Sequence, residues 1–134
     1  MIVELDQSNR IAIYTAESSK RNQYNEINEF FVENSDFVTK LRTKAPELTD
    51  SEAVKAHHIA LMVTNNWMDA EFAYQSDLIS ERTFEESFID MRASLARYPG
   101  LIPIFEELLT TFSSSHSDLR SMQTLRDIIR EGGP

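Results

Sequence analysis

The stretch of this chain with the most chemical potential is Asn65-Asn66-Trp67, followed on the same helical pattern by Glu71 and Tyr74. Asparagine forms helices weakly, and its amide requires hydrogen-bond partners wherever it is buried. Two of them in mid-helix have two explanations. One is a polar pocket in which Asn66, Trp67, Glu71 and Tyr74 line a ligand site, completed by Arg92 from the following helix. The other is structural: one asparagine bonds a carbonyl of the 76–80 connection, and Trp67 fills the core. The pocket reading predicts that Glu71→Gln abolishes ligand binding and leaves the melt unchanged; a stability loss instead marks a structural residue.

The other reactive side chains point to less. His57 and His58 are adjacent and diverge by about 100° on a helix. Glu52 or Glu71 could join them, but the carboxylate-bridged bundles require a Glu-x-x-His element from each of two helices, and none is present. We expect no metal and no cofactor, with His57 hydrogen-bonded on the apolar face and His58 and His116 solvated. Glu81, Glu85, Glu86, Glu106 and Glu107 could pair for acid-base work, yet they fall among solvent-facing positions in a chain with 22 acidic residues. Ser113, Ser114, Ser115 and Ser117 beside His116 lack a nucleophile elbow and an ordered acidic partner, and read as a loop and helix cap. With cysteine absent, thiolate chemistry is excluded. No catalytic residue is assigned, and the expectation leans against an enzyme.

The elements that would position these residues are helices. At 134 residues, 41% apolar and 26% charged, the chain supports one globular core. Three glycines and four prolines, partly in the tail Gly132-Gly133-Pro134, leave almost none for hairpin turns. The expectation is an all-α, antiparallel up-and-down bundle of five or six helices, a single domain over 1–131, with 132–134 a disordered tail or expression scar. The first helix runs from about Asp6, as N-cap, to Asn34, with a loose stripe of Ile13, Ala16, Tyr24, Ile27, Phe30 and Phe31; residues 1–22 are polar enough to protrude. Asn34-Ser35-Asp36 caps a short helix carrying Phe37, Val38 and Leu41. Thr49-Asp50-Ser51-Glu52 is a capping box opening a central helix to about Gln75, whose face is assigned to Ala53, Ala56, His57, Ala60, Val63, Trp67, Ala70 and Tyr74. Ser80 starts a helix with Phe84, Phe88, Met91 and Leu95, stopped by Tyr98-Pro99-Gly100. A short apolar helix begins near Pro103, and Ser115 or Ser117 caps a last one carrying Leu119, Met122, Leu125, Ile128 and Ile129.

The run Asn65-Asn66-Trp67-Met68-Asp69-Ala70-Glu71, with Tyr74, then Leu78-Ile79, and the later Pro99-Gly100 and Phe112-Ser113, resembles a group of small bacterial helical proteins of unknown function. In that group a segment of the form "nnWe.a...y..Gli..e" precedes a helix and a Pro-Gly turn. The likeness spans about residues 20–126; Asp77 stands where the group has glycine. Members usually carry one N-terminal transmembrane helix before the soluble domain. The resemblance thus implies that Gln7 to Asn22 corresponds to a juxtamembrane helix, in a soluble part or in a member lacking the anchor.

Function is correspondingly open. A net charge of −9 without a basic cluster disfavours nucleic acid and direct membrane binding. The first hypothesis is a non-enzymatic interaction or regulatory domain, cytoplasmic, with a protein partner or self-association as a homodimer through the first helix. The second is a small-molecule-binding or catalytic bundle built on Asn66, Trp67, Glu71, Tyr74 and Arg92. The third, an acidic mimic of nucleic acid, requires the charges to share one face, whereas the helix pattern scatters them.

Overall fold

In the computed structural model, backbone is described for residues 2–112, 116 and 118–131, and side chains within those ranges from residue 7 onward. All regular structure among the described residues is helical. The α-helices are α1 (Ile2–Glu33), α2 (Ser35–Lys40), α3 (Asp50–Gln75), α4 (Glu81–Arg97), α5 (Ile102–Thr111) and α6 (Arg120–Arg130), with one 3-10 turn, Pro99–Leu101, before α5. The all-α bundle expected from the sequence is observed.

Helix α3 is the spine, packed against α1, α4, α5 and α6. Its start follows from chemistry: the Thr49 hydroxyl accepts the Glu52 amide at 3.2 Å, and the Glu52 carboxylate accepts the Thr49 amide at 3.0 Å. The same carboxylate holds the Lys40 ammonium at 2.8 Å, tying α2 to the start of α3. At its other end α3 closes in a Schellman motif, with Leu78 N–H donating to the Ala73 carbonyl and Asp77 N–H to that of Tyr74. Asp77 sits at φ 57°, the left-handed position that glycine occupies without strain. The departure from the resembled group's glycine therefore falls where the backbone most favours one.

Side-chain pairs set the directions. Gln23 donates to Asp69 at 2.9 Å, and the Phe30 ring lies 5.9 Å from that of His58, so α1 runs antiparallel to α3. Tyr74 meets Phe84 at 4.8 Å, and Trp67 donates to Asp90 at 3.0 Å, which makes α4 antiparallel to α3 as well. Arg120 lies on Phe84 and Phe88, and Arg92 approaches Glu131 at 3.7 Å, so α6 runs parallel to α4. The core between them holds Ile59, Trp67, Phe84, Met91, Leu95, Phe105, Met122 and Leu125, all nearly or fully inaccessible. Burying each such side chain contributes about 1.5–3 kcal/mol.

Several local expectations are corrected. Helix α1 begins at Ile2, so Asp6 lies inside it rather than at its N-cap. Asn34 makes no side-chain cap on α2; its amide donates to the Phe30 carbonyl and closes α1 instead. On α3 the buried stripe is Ala56, Ile59, Ala60, Val63, Trp67 and Ala70, which leaves Ala53 and His57 exposed. The stripe drifts around the helix because it must face α1, α4, α5 and α6 in turn, and position 57 falls off its edge. His116 is half-buried against the edge of Phe112, 6.1 Å away, rather than solvated. Helix α5 starts at Ile102, near Pro103 as expected. The serines 113, 114, 115 and 117, including both expected caps of the last helix, and the 132–134 tail lie outside the described residues.

Gly100 is required by proximity. Its N–H donates to the Leu41 carbonyl at 2.8 Å, and a Cβ there would stand 2.8 Å from the Thr43 carbonyl oxygen. The Pro-Gly turn thereby docks onto the end of α2, and no side chain larger than hydrogen fits between the two backbones.

One feature of α1 bears on function. Because Ala16 and Ala73 line a common cleft and α3 ends at Gln75, roughly the first twelve residues of α1 run past the end of α3. At 1.5 Å per residue this overhang is about 18 Å long. Ile11 on it and Tyr14 at its base are 67% and 66% exposed.

Candidate functional site

The five residues expected to share a pocket are divided by the fold among three places. Glu71, buried at 4% exposure, turns toward α6. Its two carboxylate oxygens accept the backbone N–H groups of Arg120 and Ser121 at 2.8 and 2.7 Å. The N-cap residue of α6, Leu119, has no side-chain oxygen to satisfy those amides and is itself buried. Glu71 therefore caps α6 across the tertiary structure, and its negative charge complements the positive end of the helix dipole. Arg120 would oppose that dipole, but its guanidinium is drawn back over the Phe84 and Phe88 rings at 5.3 and 5.2 Å. Tyr74 packs on Phe84 nearby.

Arg92 lies on the exposed side of α4, where its contact is with Glu131. Glu71, Tyr74 and Arg92 line none of four of the best-formed clefts among the described residues. Asn66 and Trp67 remain together, and with them the structure assembles a different group.

Asn66 lies on α3 beneath the gap between α1 and α4. From α1 come Tyr24, Ile27 and Phe31; from α4 come Asp90, Ser94 and Arg97, spaced at i, i+4 and i+7 and hence on one face. The resulting cleft has a volume of about 230 Å³, and Tyr24, Asn66 and Asp90 also line a second of about 240 Å³. Val63, Leu101 and Phe105 form apolar wall, while Asn28, Asn66, Asp90, Ser94 and Arg97 bring polar groups to the same lining. Trp67, fully buried and 5.7 Å from Phe105, donates its indole N–H to one Asp90 oxygen and so fixes that carboxylate.

Asn66 itself does not bond the 76–80 connection. Its residue is 7% exposed, and its side-chain oxygen, itself buried, has no hydrogen-bond partner among the described residues. The closure of α3 that one of the two asparagines was expected to supply comes from the backbone, through the Schellman bonds. Asp90 and Tyr24 were missed in the sequence because nothing about them is unusual locally. The signal that could have found Asp90 is Trp67, whose N–H demands an acceptor when the ring is buried.

Among the described residues no three His, Asp or Glu side chains converge as a metal site, and no histidine lines the four clefts described. Glu81, Glu85, Glu86, Glu106 and Glu107 are all exposed, and only Glu86 approaches a cleft wall. No helix among the described residues is long and apolar enough to cross a membrane. Compared with known proteins, the chain matches no family model, and no curated protein or solved structure shows significant similarity to it.

Proposed function

We propose that this chain is a non-enzymatic helical interaction or regulatory domain that self-associates through the overhang of α1. The proposal takes the domain as cytoplasmic and, following the resemblance, as the soluble part of a membrane-anchored bacterial protein. The observation that carries association is the overhang itself: about 18 Å of helix, with Ile11 on it and Tyr14 at its base exposed among the described residues.

Charge favours a second copy as occupant. Residues 1–22 contain Arg10, Lys20 and Arg21 against Glu4, Asp6 and Glu17, a balance of three and three, so the −9 of the chain resides in the rest. Antiparallel pairing of two overhangs joins neutral segments and holds the two acidic bodies at opposite ends. Like charges so separated are screened beyond about 8 Å at physiological ionic strength.

The test is light scattering behind size exclusion across a concentration series at low and moderate salt. A concentration-dependent dimer that strengthens with salt and disappears in Ile11→Glu/Tyr14→Glu supports the proposal. A monomer at every concentration and salt refutes it.

A further inference from the structure

The outer face of α1 carries a heptad pattern that runs beyond the overhang. Glu4, Gln7, Ile11, Tyr14, Ser18 and Arg21 follow one another at alternating steps of three and four residues, the spacing of a coiled-coil seam. Asn9, Ala16 and Gln23 fall on the opposite side of the helix. The body lies on that opposite side: Ala16, Ser19, Lys20 and Gln23 line a cleft against α3, and Gln23 donates to Asp69. The heptad stripe therefore points away from the rest of the molecule. Gln7, Ile11, Tyr14 and Arg21 on it are exposed, and Ser18 is partly so.

The stripe is complementary to itself when turned end for end. Setting Ile11 level with Tyr14 of a second copy brings Gln7 level with its Ser18 and Glu4 level with its Arg21. Beside the seam, the exposed Arg10 then neighbours the second copy's Glu17, also exposed. Two-fold symmetry makes each of these pairs occur twice, and both charged pairs are of opposite sign. A parallel pair in register would instead set Glu4 against Glu4 and Arg21 against Arg21, so charge selects the antiparallel arrangement.

We propose that α1 pairs with the α1 of a second copy as a short antiparallel coiled coil centred between Ala12 and Ile13. Its seam runs from residue 4 to residue 21, about 26 Å. This rests on the association through α1 proposed above and adds its register, its direction and the residues that select the partner. The seam is longer than the overhang, because the second copy also covers the outer face of α1 where the inner face packs on α3. The two Ile11–Tyr14 layers supply the apolar contact, and the charged pairs fix direction and register.

The chain has no cysteine, so single cysteines can be introduced cleanly. Full-length Gln7→Cys and Ser18→Cys proteins are mixed under mild oxidation and resolved on a non-reducing gel. A mixed disulfide is expected. Little Gln7→Cys homodimer should form, because the two residues 7 lie eleven residues apart along the seam, about 17 Å, beyond the reach of a disulfide. Glu17→Arg sets arginine against arginine twice and should weaken dimerisation about tenfold in light scattering, and adding Arg10→Glu should restore it to within about twofold. Preferential Gln7→Cys homodimer, undiminished dimerisation by Glu17→Arg, or a failed rescue overturns the register while association through α1 stands. A wild-type chain that remains monomeric overturns both.

Discussion

Removing the Glu71 carboxylate should loosen the last helix. Two backbone amides, the part-buried one of Arg120 and the buried one of Ser121, depend on it at 2.8 and 2.7 Å, and no side chain of α6's own N-cap replaces it. Hydrogen bonds to charged groups contribute about 1.5–3 kcal/mol, and a buried donor left unsatisfied costs about 1–3 kcal/mol. Glu71→Gln keeps one acceptor oxygen, puts an amide NH₂ where the other stood, and loses the charge facing the helix dipole; a loss of about 2 kcal/mol is expected. Glu71→Ala strands both donors and leaves a small void, for about 4 kcal/mol. In a domain of this size 1 kcal/mol corresponds to about 3–5 °C, so the melts should fall by about 6–10 °C and about 12–20 °C. Circular dichroism melts measure this, with the exposed Glu106→Gln as a control expected within about 1 °C. Hydrogen exchange supplies the local readout: the amides of Arg120 and Ser121 should lose protection first, since an eleven-residue helix has little stability of its own. Both Glu71 variants melting with the wild type would refute the capping role.

Further outcomes follow from other particular contacts. Gly100→Ala should lower stability by about 1–3 kcal/mol in a denaturant titration, because its Cβ would press on the Thr43 and Leu41 carbonyls, which are backbone and cannot swing away. Asp77→Gly should raise stability by about 0.5–1 kcal/mol, read as a shift in midpoint at unchanged slope, because it relieves the left-handed backbone at the end of α3. Ser80→Ala removes the hydroxyl that accepts the Thr83 amide at 3.1 Å and should cost about 1 kcal/mol. The Lys40 ammonium and the Thr49 amide hold the Glu52 carboxyl below its usual value of 4.5. That lowered value means the contact stabilises above the unfolded-state value and is lost as pH falls through the folded one. A side-chain NMR titration should place the Glu52 midpoint below 4.5, and Lys40→Met should move it upward.

Where the local sequence encodes the outcome, the reading and the structure coincide. The capping box at Thr49 and Glu52, the Ser80 cap, the stop at Tyr98-Pro99-Gly100 and the apolar spacing of α4 are satisfied by residues a few positions apart. Such interactions are present in the chain's own order, and helix existence and type follow from them. The candidate site was legible only in part. Asn66 and Trp67 are recognisable as misplaced polar and oversized residues, and both belong to the cleft. Glu71, Tyr74 and Arg92 share their register on paper, yet a carboxylate's use depends on which donors approach it from elsewhere in the chain. For Glu71 those donors lie 49 and 50 residues away.

The sequence by itself determined the all-α character, the central position of the Thr49-capped helix and the absence of thiolate chemistry. It did so because periodicity, caps and composition are local properties. The tertiary structure decided the rest: that His57 faces water, that Glu71 caps α6, that Asp90 receives Trp67, and that Asn66 lies unpaired beneath a gap. Each of these depends on how far a buried stripe rotates as α3 meets four neighbours. A rotation of one residue, about 100°, is enough to move a side chain from core to solvent.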